Sequence, residues 1–285
     1  MKFFTVKIDD NAQLDAYIPD DAEYPREDLK RPAAVICPGG GYAFVSKDEG
    51  EPVAFAFLKE GYAAFVLRYS TGIENPFPTA LRQLAKSIKY VRDNADALKV
   101  IKDDVTVAGF SAGGNLALSS AVYCEDKVML DGIGSTEEVR PDAIVLGYPA
   151  VTLIPVKRKG ECKIDPELMK RFAGPTIRQI LLGKTDCSEE EYASLNLLNK
   201  LHKNMPPVFV WGTYDDQIIP VEDLTGLASG LKKLGVSCEL HMFEKGGHGM
   251  SLGTGVVKSE EEIKGNHVAK WFRLAILWLE ERRRK

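Results

Sequence analysis

The chain has 285 residues, of which 45% are hydrophobic and 27% charged, a composition typical of globular proteins and unlike that of disordered chains. Its formal net charge of −4 excludes a general electrostatic attraction to nucleic acids or anionic lipids. Because the N-terminal run lacks the long apolar region of a signal peptide and no segment approaches ~20 uninterrupted apolar residues, the sequence predicts a cytoplasmic protein without a membrane span.

Apolar periodicity and turn residues predict an α/β protein. Two β-rich runs at 3–8 and 13–18, separated by a polar turn, predict a hairpin at one edge of a sheet. Strands and helices then alternate, with strands expected at 33–37, 63–69, 105–108, 143–146, 208–211 and 238–243, and helices at 51–60, 79–98, 115–122, 221–234 and the chain end. Such alternation predicts a mostly parallel central sheet with helices on both faces.

The stretch 151–205 exceeds what this sheet needs and predicts a small helical cap inserted within a single domain, 1–285. Short helices are expected at 166–170 and 176–182, and Ser188 and Glu191 have the spacing of a capping box. Such an excursion is expected over the carboxyl ends of the strands, where open α/β sheets bind ligands. The alternative is a peripheral decoration with no part in binding.

The hexapeptide GFSAGG places Ser111 between a strand and a helix, in the G-x-S-x-G pattern. The turn is so tight that side chains at Gly109 and Gly113 would collide with neighbouring backbone. The helix that follows begins with free N–H groups and the positive end of its dipole, which favour a negative oxygen beside the serine. Ser111 is therefore the candidate nucleophile, and the Ala112 N–H is a candidate oxyanion-hole donor.

A serine hydroxyl needs a base, usually a histidine oriented by a carboxylate. Among four histidines, His248 lies in a glycine-rich loop directly after the strand at 238–243 and is the expected base. Two adjacent aspartates follow the strand at 208–211, and both cannot point at one imidazole. Asp215 is the predicted partner by the match of G-T-x-D to related hydrolases, with Asp216 expected to cap a helix or order the loop. The alternative is that both only cap the helix.

A glycine run, Gly39 to Gly41, follows the strand at 33–37 and can bring backbone N–H groups close to a substrate. Gly40 and Gly41 are the predicted donors that complete the oxyanion hole. Tyr42, Tyr148 and Pro149 are candidates for the pocket wall, with ordinary packing an equal alternative.

The chain order Ser111, Asp215, His248 is that of α/β hydrolases. The segments PGGGY, GFSAGG, GTYDD and GGHG resemble those of the esterase/lipase branch of the α/β-hydrolase superfamily, most closely the bacterial carbohydrate acetyl and feruloyl esterases (acetyl xylan esterase-like), and the resemblance spans almost the whole chain. Pro38 stands where hormone-sensitive-lipase-type esterases carry a histidine, so that histidine's role does not transfer.

The resemblance implies a serine carboxylic ester hydrolase that removes acetyl or feruloyl groups from oligosaccharides through an acyl-serine intermediate, without a metal or organic cofactor. The five cysteines are far apart and lack metal-site spacing, so no zinc site or disulfide framework is expected. Two alternatives remain: a small serine peptidase or aminoacyl hydrolase of prolyl-oligopeptidase-like type, and a catalytically silent hydrolase fold that serves as a binding protein. The expected partner is a small-molecule or oligosaccharide ester, with no nucleic acid or membrane.

Overall fold

The computed structural model describes residues 1–20, 29–153 and 173–284, which form an eight-stranded sheet covered by helices. The strands are β1 (Lys2–Asp9), β2 (Ala12–Ile18), β3 (Arg31–Cys37), β4 (Ala63–Arg68), β5 (Val100–Phe110), β6 (Ala143–Gly147), β7 (Val208–Thr213) and β8 (Cys238–Phe243). The helices are α1 (Glu51–Lys59), α2 (Thr79–Asp93), α3 (Ala95–Leu98), α4 (Ala112–Val122), α5 (Lys127–Leu130), α6 (Thr136–Val139), α7 (Ile177–Leu182), α8 (Glu189–Ser194), α9 (Val221–Lys233), α10 (Glu260–Ile263) and α11 (Lys270–Arg283).

The strand order across the sheet is β1-β2-β4-β3-β5-β6-β7-β8. Strand β2 runs antiparallel to both β1 and β4, and every pairing from β4 through β3 to β8 is parallel. The predicted mostly parallel sheet is thus confirmed. Because β3, β5, β6, β7 and β8 are parallel, the loops that follow their carboxyl ends emerge at the same edge of the sheet.

The core lies on both faces of the sheet. On one face, Leu84 of α2, Leu116 of α4 and Leu227 of α9 are buried in a common apolar cluster. On the other face, Phe57 of α1 and Trp271 of α11 belong to a second cluster. Strands covered on both faces must be apolar throughout, which explains their nearly continuous apolar sequence. The α/β-hydrolase architecture predicted from the sequence is therefore present.

Two predicted elements differ in extent from those observed. The helix expected over 79–98 is divided at Asn94 into α2 and α3. The strand expected at 105–108 is extended to Val100–Phe110, and its first half includes the exposed polar residues Lys102 and Asp103. Apolar periodicity cannot detect a strand where the side chains face solvent, so this extension left no signal.

The described part of the 151–205 insertion contains α7, α8 and a 3-10 helix at Leu197–Lys200, joined by irregular segments. Thr176 and Ser188 cap α7 and α8, each in a reciprocal capping box, and the second of these is the predicted pair with Glu191. Backbone contacts tie this segment to the rest of the chain, since the Phe77 N–H donates to the carbonyl oxygen of Leu181 at 3.0 Å. The helix predicted at 166–170 lies outside the described residues. None of the described helices is both long enough and apolar enough to cross a bilayer.

Candidate active site

Ser111 occupies a sharp turn between β5 and α4. Its backbone has φ 53° and ψ −117°, a left-handed conformation that a non-glycine residue rarely adopts. A side chain at Gly109 would place its Cβ 2.2 Å from the Gly113 carbonyl oxygen, and one at Gly113 would come within 2.0 Å of the Cys37 carbonyl oxygen. The two glycines are therefore required by close backbone approach, as the motif predicts.

The hydroxyl of Ser111 is hydrogen-bonded to His248. The distance from Ser111 Oγ to His248 Nε2 is 2.9 Å, and the imidazole side chain is 17% exposed. His248 lies in the loop after β8, which is anchored where Thr213 Oγ1 donates to the Gly247 carbonyl oxygen at 2.8 Å. The structure thus brings together the predicted serine and the predicted histidine from elements 137 residues apart in the chain.

The carboxylate beside His248 belongs to Asp216. Asp216 Oδ2 lies 2.8 Å from His248 Nδ1, and the Asp216 side chain is 3% exposed. Its other oxygen, Oδ1, accepts the backbone N–H groups of Ile218 at 2.7 Å and Ile219 at 3.0 Å. These two amides fix the carboxylate so that one oxygen always faces the imidazole.

The prediction that Asp215 orients His248 is therefore wrong. Asp215 instead accepts the N–H groups of Gly247 at 2.8 Å and Gly246 at 3.2 Å, and so orders the histidine loop. The physical reason is the turn after β7, closed by a hydrogen bond of 3.4 Å from the Asp216 N–H to the Thr213 carbonyl oxygen. Neighbouring side chains on this turn diverge, and the second aspartate faces the ring. The roles expected for Asp215 and Asp216 are thus exchanged.

The glycine run after β3 is folded against the serine. Gly40 has φ 120° and accepts at its carbonyl oxygen the N–H groups of Ala43 at 3.0 Å and Phe44 at 3.2 Å, which closes a turn. A Cβ on Gly39 would lie 3.0 Å from Ser111 Cβ, so the run directly adjoins the nucleophile candidate. Among the hydrogen bonds between described residues, none uses the N–H groups of Gly40, Gly41 or Ala112. All three predicted donors thus have N–H groups without an acceptor in the described part of the chain.

Tyr42 and Tyr148 are interior residues, and their part in a pocket wall stays a prediction. Tyr42 is 4% exposed, and its hydroxyl donates to Asn115 Oδ1 at 3.0 Å. Tyr148 is 1% exposed, and its ring packs edge-on against His248 with 5.0 Å between ring centroids. Both side chains are committed to internal contacts, which sequence alone does not reveal. Pro149 is buried as well.

Glu49, which the sequence analysis did not identify, lies beneath this site. It is 4% exposed and contacts both the Gly39 N–H and the Tyr148 hydroxyl. Burial raises the pKa of Glu49, although hydrogen bonds from Tyr148 and Gly39 oppose the increase. Burial also holds the pKa of Tyr148 well above its ordinary value. In the sequence Glu49 belongs to the run KDEGE, which has the composition of a solvated loop.

Two other histidines, His241 and His202, have partners outside this constellation. His241 Nε2 is 2.7 Å from Glu239 Oε1 on the same strand, and His202 Nε2 is 3.0 Å from the Val122 carbonyl oxygen. Across the described ranges, no three side chains of His, Cys, Asp or Glu are grouped in a way that could hold a metal ion.

The chain is similar to known esterases over most of its length. The family model BD-FAE matches residues 14–231. An acetylxylan esterase of Xylanibacter ruminicola is 28% identical over 260 residues, which are 89% of this chain and 47% of that protein. The chain spans only about a third to a half of the length of the first curated relatives that it matches.

Two solved structures extend the comparison. An α/β hydrolase from a Medee basin deep-sea metagenome library is 30% identical with a TM-score of 0.73, covering 99% of this chain and 97% of that one. An acetyl ester-xyloside bifunctional hydrolase from Caldicellulosiruptor lactoaceticus is 29% identical with a TM-score of 0.73, covering 95% of this chain and 88% of that one. The similarity therefore covers the sheet and all the loops that carry the site.

Proposed function

Because this chain belongs to the BD-FAE family and has the α/β-hydrolase fold, we propose that it is an esterase in which Ser111, His248 and Asp216 hydrolyse carboxylic esters through an acyl-serine intermediate. The observation that carries the proposal is the unbroken hydrogen-bonded chain from Ser111 Oγ through both nitrogens of His248 to Asp216 Oδ2. A nucleophile, a base and an orienting carboxylate in this order are what ester hydrolysis by serine requires.

In the acylation step, Ser111 Oγ attacks the ester carbonyl carbon while His248 Nε2 accepts the hydroxyl proton. The carbonyl oxygen becomes an oxyanion, and when the tetrahedral species collapses, the alcohol leaves with the proton that His248 returns. In the second step, His248 removes a proton from water, the resulting hydroxide attacks the acyl carbon, and Ser111 is released with its proton. Asp216 keeps the proton of Nδ1 on the ring throughout, so that Nε2 faces Ser111 as an acceptor.

The N–H groups of Gly40, Gly41 and Ala112 are the proposed oxyanion donors. None of them has an acceptor among the described residues, and the glycine run packs against Ser111, and both observations support this role. The N-terminal end of α4 adds the positive end of a helix dipole at the same point. Loss of one such donor typically lowers the rate by about 100- to 1,000-fold.

The proposed substrates are acetylated oligosaccharides, with feruloylated ones as the second expectation. The named activities of the acetylxylan esterase relative and of the acetyl ester-xyloside hydrolase support the acetyl group and the sugar. The 151–205 insertion is proposed as the cap that shapes the sugar-binding side of the pocket. Its hydrogen bond to the segment before α2 supports a fixed position for its described helices.

Hydrolysis of p-nitrophenyl acetate by the wild-type chain and by Ser111→Ala tests the ester chemistry. We expect a loss of more than about 1,000-fold in kcat for the variant. A panel of acetylated xylo-, manno- and cello-oligosaccharides, followed by the mass loss of acetyl groups, tests the substrate class. Hydrolysis of aminoacyl amides in preference to acetyl esters would replace the proposal with a peptidase. Absence of turnover with every ester would refute it.

A further inference from the structure

Glu49 is a buried carboxyl group that the proposed reaction does not use. It lies two residues before α1 and is 4% exposed, although a carboxylate is among the groups most costly to remove from water. Asp48, which precedes it, and Glu51, in the first turn of α1, are both exposed. The burial is therefore specific to one of three acidic positions in this segment.

One oxygen of Glu49 holds the glycine run. Oε2 accepts the Gly39 N–H at 2.7 Å, and a Cβ built on Gly39 would touch both this oxygen and Ser111 Cβ. The carboxyl group thus lies directly behind the turn whose next two residues, Gly40 and Gly41, carry the proposed oxyanion donors. Charge-assisted hydrogen bonds of this length are about twice as strong as neutral ones.

The other oxygen is linked to the histidine loop. Oε1 accepts the Tyr148 hydroxyl at 2.6 Å, and the same hydroxyl accepts the N–H of Ser251 at 2.8 Å. The Tyr148 ring packs edge-on against His248. Ser251 is fixed in turn, because its hydroxyl donates to the Asp48 carbonyl oxygen at 2.6 Å. A single carboxyl group therefore connects the glycine run, Tyr148 and the loop that carries the base.

Several titratable groups face this cluster. Lys258 and His248 bring positive or potentially positive charge toward Glu49, whereas Tyr69 and Tyr148 are buried phenols. Of the described acidic groups, Asp216 also acts on Tyr148. Both oxygens of Glu49 accept hydrogen bonds from donors, which is the pattern of an ionised carboxylate.

We propose that Glu49 is a positioning residue that acts as the second anion of the site. Through Gly39 it holds the turn that carries the proposed oxyanion donors. Its negative charge, on the far side of Tyr148, stabilises the imidazolium of His248 that forms during turnover. The inference rests on the proposed function, because an imidazolium forms only if His248 accepts the Ser111 proton. Two carboxylates then balance the transient positive charge of the imidazolium. Asp216 is hydrogen-bonded to the ring, and Glu49 is linked to it through Tyr148.

The test compares Glu49→Gln with the wild type and with Glu51→Gln as the matched control on an exposed neighbour. A glutamine can accept the Gly39 N–H at Oε1 and donate from Nε2 to Tyr148 Oη, so it removes the charge and keeps both contacts, with the Tyr148 hydroxyl accepting the bond that it donates in the wild type. We expect kcat for p-nitrophenyl acetate to fall about 10- to 100-fold with KM changed less than about 3-fold. Removal of a nearby negative charge disfavours the imidazolium of His248. The acidic limb of the pH profile of kcat/KM should therefore move to lower pH by about 0.5 unit or more. A merely structural role would leave that limb in place.

Glu51→Gln should keep the wild-type rate and pH profile. An unchanged rate and profile in Glu49→Gln would overturn the inference, as would a lower rate with an unmoved acidic limb. If Glu49→Gln does not fold, Tyr148→Phe retains the ring and the charge but breaks the link to Ser251. It should lose about 5- to 20-fold in kcat without moving the limb, and a wild-type rate would overturn the inference.

Ser111→Ala, measured in parallel, separates this inference from the proposed function. If hydrolysis persists in Ser111→Ala, the proposed mechanism itself fails. If hydrolysis is lost there, the result for Glu49→Gln bears on Glu49 alone.

Discussion

Exchanging Asp216 for asparagine is the sharpest perturbation of the site, with Asp215→Asn as its matched control. The two positions are adjacent, chemically identical and on the same turn, yet only Asp216 contacts His248. Asp215 contacts two backbone amides of the histidine loop. The pair therefore separates a role in proton transfer from a role in loop order.

The size of the expected loss of kcat follows from the contacts of Asp216 Oδ1. In Asp216→Asn, the two N–H groups of Ile218 and Ile219 select the amide oxygen, so the amide NH2 faces His248 Nδ1. Nδ1 must then accept, and the ring proton moves to Nε2, where it faces Ser111 and prevents proton abstraction. We expect kcat to fall by about 1,000- to 10,000-fold, which corresponds to about 4 to 5.5 kcal/mol of activation free energy.

In Asp215→Asn the amide oxygen retains the shorter bond to Gly247, at 2.8 Å, and loses only the longer one to Gly246, at 3.2 Å. We expect a loss of less than about 10-fold. Steady-state hydrolysis of p-nitrophenyl acetate by purified variants, with thermal melting to verify folding, measures both. A larger loss for Asp215→Asn than for Asp216→Asn would refute the assignment of the carboxylate.

Three further predictions concern the backbone and the buried carboxyl. Gly113→Ala drives a Cβ to within 2.0 Å of the Cys37 carbonyl oxygen and should lower Tm by about 5 to 10 °C in calorimetry, whereas an unchanged Tm would contradict the close approach. Gly40→Ala, at φ 120° and 2.1 Å from the Phe44 carbonyl oxygen, should lower kcat by about 100- to 1,000-fold, and a wild-type kcat would exclude the turn from oxyanion binding. Because burial raises the pKa of Glu49 above its ordinary 4.5, the folded chain binds this proton more tightly than the unfolded chain, and the free energy of unfolding should fall relative to Glu49→Gln as pH rises above that value. If the denaturation midpoints of the wild type and Glu49→Gln changed by the same amount from about pH 4.5 to 8, that reasoning would be contradicted.

The elements of the fold were readable from the sequence wherever both faces of a strand are buried. The apolar runs of β3, β6 and β7 and the capping box at Ser188 follow from local patterns. The first half of β5 gives no apolar pattern because Ile101, Lys102 and Asp103 are consecutive exposed residues. The break at Asn94 was missed because the apolar spacing continues across it.

The sequence predicts a site residue correctly where the geometry of a turn permits only certain residue types around it. Ser111 needs Gly109 and Gly113 for steric reasons that hold in any such turn, and His248 was the one histidine in a loop after a strand. The choice between Asp215 and Asp216 depends on the direction of the chain after Thr213, which no local pattern encodes. Glu49 and Tyr148 meet across 99 residues of sequence, so their contact is a property of the tertiary structure alone.

Mass spectrometry after treatment with a fluorophosphonate identifies the nucleophile of the site. We predict a single phosphonyl adduct on the peptide that contains Ser111, formed rapidly by the wild-type chain and about 1,000-fold or more slowly by His248→Ala, because the serine is reactive only when the imidazole accepts its proton. An adduct on another residue, or equal labelling of Ser111 with and without His248, would contradict this prediction.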